Sequence, residues 1–130
     1  MIKLNGGNQP SPQDSGEPGT REAFPTVLIA AENQGTRQFL VNFLRRDPCN
    51  ILQADTAIGL WHVIVNHSRQ IHVLLLEMGL GGPDFAVMAK QYRPGMRILS
   101  IANHTDQNQP GILPIGIAAA QARELLQSQK

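Results

Sequence analysis

The run Val73-Leu74-Leu75-Leu76, between His72 and Glu77, constrains this chain more than any other stretch. Four consecutive apolar residues with no polar alternation read as a strand hidden from water on both faces. TVLIAA at 26–31 and RILSIA at 97–102 repeat the pattern, and NILQA at 50–54 is a milder version. Between these runs apolar residues recur at helical spacing. Phe39, Leu40, Phe43 and Leu44 form one stripe, Ala57, Leu60, Trp61 and Ile64 a second, and Phe85, Met88, Ala89 and Tyr92, expected to point inward, a third. Asp47-Pro48 stops the first helix, Asp55 or Thr56 caps the second, and Pro83-Asp84 opens the third. A polar loop, NHTDQNQPG, leads to the short piece ILPI and to a last helix from about Ile117.

Strands apolar on both faces, alternating with amphipathic helices, require a parallel sheet with helices on both sides. Right-handed crossovers leave few topologies. The expectation is an α/β, flavodoxin-like fold: five parallel strands in the order 2-1-3-4-5, with its functional crevice beyond the carboxyl ends of the strands. Only 13 positions separate Ala102 from Ile115, and NHTDQNQPG has no apolar period, so the fourth helix should be shortened or missing. The chain has 130 residues, enough for one such domain. Residues 1–24 are rich in Pro, Gly, Ser and Gln and have little to bury, so they read as a disordered tail ahead of a domain at 25–130.

Composition narrows the function. Net charge is +1 and no basic tract exceeds Arg45-Arg46, so no nucleic-acid binding is expected of this chain. A single cysteine, Cys49, excludes an internal disulfide and a cysteine-based zinc site, and its thiol should be buried and inert. His62 and His67 are five apart and fall on different sides of a helix, so no metal site is expected from the histidines. No segment has the length of a membrane span or the apolar core of a signal peptide, and a cytoplasmic location is the expectation. The glycine-rich loop after Glu77 lacks the spacing of a dinucleotide fingerprint and the lysine of a P-loop. It reads as a turn needing positive φ, and no cofactor is expected.

The stretches VLIAAENQGTR, HVLLLEMGLGGPD, RILSIANH and ILPIGI together resemble the receiver domain of two-component response regulators, from about Val27 to Leu126. In that family an acidic pair after the first strand helps hold Mg²⁺, and an aspartate ending the third strand accepts a phosphoryl group. A Thr or Ser ends the fourth strand, and a Lys followed by Pro ends the fifth. Position by position, the resemblance puts Ala31 and Glu32 at the acidic pair and Glu77 at the phosphoacceptor, 45 positions after Glu32. Ala102 falls at the hydroxyl position and Ile115 at the lysine position, with Ile112 in place of the aromatic that moves on switching.

Nearly every motif residue is therefore changed. Glu77 is one methylene longer than aspartate, and in-line attack tolerates little misplacement. With Ala31 the metal site drops to two carboxylates, and neither Ala102 nor Ile115 can hold a phosphoryl group. Glu77 is left as a mimic of the phosphorylated state or as a solvated acid at a strand end, hydrogen-bonded to amides of the loop at 79–82; the second is the expectation. The chain then reads as a non-enzymatic, phosphorylation-independent receiver-like module. It would act by protein contact in bacterial signal transduction or transcription regulation. The alternative is a small enzyme or small-molecule binder on the same sheet, since fold alone does not separate the two. A lost fourth helix should leave Leu99, Ile101, Leu113 and Ile117 under-covered beside an edge strand. Self-association or partner docking is expected there, through the last two strands and final helix. For the tail, limited trypsin should cut after Arg21 while the domain resists; a protected Arg21 refutes the boundary.

Overall fold

The computed structural model describes residues 24–82, 84–102 and 112–128. Its elements alternate: β1 (Thr26–Ala30), α1 (Gln34–Leu44), β2 (Asn50–Ala54), α2 (Ala57–Asn66), β3 (Val73–Glu77), α3 (Phe85–Tyr92), β4 (Arg97–Ile101), β5 (Ile112–Leu113) and α4 (Ile115–Gln127). One sheet contains all five strands in the order β2-β1-β3-β4-β5, and every neighbouring pair is parallel. This is the 2-1-3-4-5 order read from the sequence. The expected tail lies outside the described residues except for Phe24. The connector 103–111, where the fourth helix should be cut down, lies outside them as well.

The central strand explains the order. Val73, Leu74 and Leu75 are fully buried and Leu76 nearly so. Alternation sends Val73 and Leu75 to one face, with Val27, Ile29 and Ile101, under Leu40 and Leu44 of α1 and Ala118, Ala119, Ala122 and Leu126 of α4. Leu74 and Leu76 go to the other, with Leu28, Ala30 and Ala54, under Leu60 and Ile64 of α2 and Phe85 and Ala89 of α3. Each fully buried aliphatic side chain contributes about 1.5–3 kcal/mol, so two clusters on one sheet hold the domain together. Alanines on α4 where α1 has leucines let that helix lie close to the sheet.

Local chemistry sets the ends. Asn33 caps α1 by accepting from the Thr36 amide at 2.9 Å. Thr56, not Asp55, caps α2, its hydroxyl accepting from the Gly59 amide at 3.0 Å. Arg93 closes α3 onto the connector after α2: its guanidinium donates to the carbonyls of Ile64 (2.7 Å), Arg69 (3.0 Å) and His67 (2.6 Å). Asn50, buried at the start of β2, donates its side-chain amide to the Phe24 carbonyl and its backbone amide to the Pro25 carbonyl, fixing the entry to β1. Asp47 pairs with Arg123 at 2.7 Å and ties the α1–β2 turn to α4. Cys49 is half-buried and donates to the Leu44 carbonyl; burial and then the charge of Asp47 push its thiol pKa up, which disfavours the thiolate.

Two residues of the third stripe differ from expectation. Met88 and Tyr92 are 46% and 52% exposed rather than inward, and Phe39 of the first stripe is 43% exposed. Helical spacing marks a stripe wider than the sheet can cover, and residues at its margin stay in water. Among the described residues no helix is long and apolar enough to cross a membrane.

His72 sits at the other end of the sheet from the strand tips, where Nδ1 accepts the Thr26 amide at 3.0 Å. Its own amide donates to Thr26 and its carbonyl accepts from Arg97, so it joins three strands. Accepting at Nδ1 requires the neutral ring with the proton on Nε2. Burial lowers its pKa from the usual histidine value. The folded state thus refuses a proton that the unfolded state takes. This contribution is fully present above the unfolded pKa of about 6.5 and is lost as pH falls below it toward the folded value. Unfolding free energy measured by urea titration should decline as pH drops below about 6.5. In His72→Asn, whose side-chain oxygen can accept the same amide without titrating, that part of the decline should disappear. Identical pH profiles for the two proteins refute the assignment.

Candidate functional site

The carboxyl ends of β1, β3, β4 and β5 converge at one rim. Ala30 pairs with Leu76, and Glu77 with Ile101. The ladder continues one step past the strands, with the Met78 amide donating to Ile101 and the Ala102 amide to Leu113. Of the rim residues named from the sequence, Ala31 is fully buried, Glu32 is exposed and Ala102 is half-buried.

Glu77 is 5% exposed, so it is not a solvated strand end. Nor does its side chain use the glycine loop. Its Oε1 accepts the backbone amide of Glu32 at 2.8 Å and that of Asn33 at 3.4 Å. Alternation explains the direction: Val73, Leu75 and Glu77 share the face toward α1, where the β1–α1 loop lies. The acceptor sits at the N-terminal end of α1, beside the amide of the capping residue itself, where a negative charge is favoured. Arg37, one turn into α1, grips the same loop from its carbonyls, Nη1 donating to Ala31 at 2.6 Å and Glu32 at 3.1 Å. The loop 31–33 is thus held by a carboxylate on its donors and a guanidinium on its acceptors. An aspartate would end about 1.5 Å short of those amides. The extra methylene is what lets the side chain brace the loop.

The switch position at the end of β5 needs correction. Ile115 is the first residue of α4, and the residue that ends β5 with a proline after it is Leu113. The run ILPI looks like four strand residues, but Pro114 fixes the helix start one place after itself, so the strand is only two long. Leucine also lacks the ammonium of the family's lysine. The expected interaction surface needs correction too. Ile101 is fully buried, and Leu99 and Leu113 pack against the cluster under α4; only Ile117 is exposed, at 50%. These strand residues face α4, and their alternates Ile98, Ser100 and Ile112, half-buried like Leu99 and Leu113, face the other side of the sheet. A pocket of about 370 Å³ opens on that side, lined by Leu76, Met78, Leu80, Ala86, Ser100 and Ile112, with Glu77 at its edge.

The loop over this pocket follows the expected turn chemistry. Gly79, Gly81 and Gly82 have φ of 92°, 84° and 84°. At Gly81 a Cβ would stand 2.5 Å from the Phe85 ring, so only glycine fits. Among the described residues no three His, Cys, Asp or Glu side chains come together.

No protein-family model matches the chain, and no curated protein matches it. Solved structures do. A response regulator from Thermotoga maritima matches with a TM-score of 0.63 at 13% identity, over 80% of this chain and 98% of that one. The signal receiver domain of an HD domain-containing protein from Pseudomonas fluorescens Pf-5 matches at 0.61 and 18%, over 81% and 98%. The fold is that of a response regulator receiver domain. A Burkholderia pseudomallei response regulator, solved with a phosphorylated aspartic acid, calcium ion and citrate, matches at 0.56 and 14% identity, over 75% of this chain; the chain spans 54% of that regulator's length.

Sequence reasoning assigned Arg37 and Asn33 no part at this rim. The available signal was their position: both follow the first strand closely enough to reach back to its loop.

The brace can be tested by length against charge. Glu77→Ala should cost about 1–3 kcal/mol in urea unfolding, because two loop amides lose their acceptor. Glu77→Gln keeps an oxygen in reach and should lose less, whereas Glu77→Asp, charged but short, should behave like alanine. An aspartate variant as stable as the parent refutes the brace.

Proposed function

We propose that this chain is a degenerate receiver-like module that works by protein contact, independently of phosphorylation, in bacterial signal transduction or transcription regulation. The observation that carries this reading is the engagement of Glu77, whose carboxylate is bonded to the β1–α1 loop. A phosphoacceptor must be free to attack and must share a metal with neighbouring acids. Ala31 brings no carboxylate, Ala102 no hydroxyl and Leu113 no ammonium to receive the transferred group. The aspartate in the Burkholderia regulator is phosphorylated; the glutamate here serves as a fixture instead. Catalysis of another kind has thin support, since among the described residues Ser100 is the one hydroxyl lining the apolar pocket beside Glu77. A module without chemistry at its crevice acts through its surface, as a cytoplasmic partner of other proteins.

The test is a phosphodonor titration followed by amide NMR. Millimolar Mg²⁺ with acetyl phosphate or beryllofluoride should leave the resonances of Glu32, Glu77 and Ala102 in place. The Glu77→Asp variant, compared with itself before addition, should also fail to respond. Saturable shifts in the parent protein refute the proposal.

A further inference from the structure

Five of the seven large apolar side chains that stand exposed among the described residues lie on α2 and α3: Ile58 (85%), Val65 (36%), Val87 (58%), Met88 (46%) and Tyr92 (52%). Four of them join into one furrow. With Leu60 and Ile64 of α2 against the sheet, a 100° step per residue places Ile58, Trp61 and Val65 along the flank that leans toward α3. With Phe85 and Ala89 of α3 against the sheet, Met88 and Tyr92 fall on the flank that leans back toward α2. Trp61 closes the floor, its ring 5.8 Å from both Phe85 and Tyr92 and edge-on to each. The helix α2 contains no Asp, Glu, Lys or Arg at all. Its outer face pairs the exposed Ile58 and Val65 with only two polar side chains, His62 and Asn66.

We propose that this furrow is the interface of a symmetric homodimer, in which the α2–α3 pair of one copy packs antiparallel on that of a second copy. Charge selects the occupant. Both helices leave the same end of the sheet and run in the same direction, so their ends differ in sign. Exposed Asp55 and Asp84 stand at the N-terminal ends, and at the C-terminal ends the guanidinium of Arg93 sits on the carbonyls of Ile64, His67 and Arg69. A twofold axis across the furrow sets the acidic end of each copy on the basic end of the other, and sets the helix dipoles antiparallel. The neutral middle offers nothing to a strongly charged partner and nothing that repels a copy of itself. In the same arrangement Ile58 of one copy meets Val65 of the other, since the two flank the centre of α2 on one stripe. The exposed side chains present on the order of 500 Å² per copy, within the range of a functional patch. Doubled by the axis, this reaches the ~1,000 Å² that a specific interface needs. The inference does not depend on whether Glu77 can be phosphorylated.

Sedimentation equilibrium of the full chain over about 1–500 µM should show a monomer–dimer equilibrium. Ile58→Glu and Met88→Glu should each raise its dissociation constant at least about tenfold. Ile58 is so exposed that its substitution leaves the core untouched. Ile117→Glu, equally polar but on α4, should leave the constant unchanged. Register is read by cross-linking in a Cys49→Ser background. A mixture of Ile58→Cys and Val65→Cys chains should form a disulfide-linked heterodimer faster than either chain links to itself. A monomer at every concentration overturns the proposal. So does a dimer indifferent to Ile58→Glu and Met88→Glu, and so does preferential cross-linking of Ile58→Cys chains to themselves.

Discussion

The central strand β3 has water on neither face and a neighbour on both edges, and that double burial dictates everything around it. A strand with apolar side chains pointing both ways needs a helical layer above and another below, and parallel neighbours whose connections supply those layers. Its first four residues are spent on the two cores, Val73 and Leu75 under α1 and α4, Leu74 and Leu76 under α2 and α3. The fifth, Glu77, is the first with freedom to be polar. It keeps the alternation and so points to the same face as Val73 and Leu75, at the height where β1 turns into α1. The identity of the strand thus delivers a carboxylate to the amides of Glu32 and Asn33.

What was legible in the sequence follows from this. Buried strands advertise themselves as unbroken apolar runs, so the strands, their order and the layers could be read from residues alone. The helix stops and caps were legible where a side chain of fixed chemistry sits at the junction, as with Asp47-Pro48 and Thr56. Faces were harder. The choice of Leu99, Ile101 and Leu113 as an uncovered set identified one face of β4 and β5 correctly as a unit, but not which layer lies over it. Alternation says which residues go together and is silent on which side a helix covers, because that depends on the hand of each crossover. Met88 and Tyr92 illustrate the helical version: at the margin of a stripe, period alone does not separate core from exposed.

The rim was the least legible part, for a different reason. A hydrogen bond between Glu77 and the Glu32 amide spans 45 positions, and no local pattern records it. The placement of Ile115 failed on a smaller scale. An isoleucine on either side of Leu-Pro reads as strand in composition, and only the turn made at Pro114 separates Leu113, which ends β5, from Ile115, which begins α4.

The same rim then separates fold from chemistry. A carboxylate at the tip of the third strand can attack a phosphoryl group only if it keeps a lone pair in line and a cation beside it. It can brace a loop only if it spends its acceptors on amides. In this chain both amide bonds fall on one oxygen, Oε1. Glutamate at 77 reaches the amides of Glu32 and Asn33, and Arg37 secures the carbonyls of Ala31 and Glu32 from the other side. The β1–α1 loop is therefore held from both sides by side chains of its own chain, and a ligand at this rim would shift it only by binding two arrangements of that loop unequally.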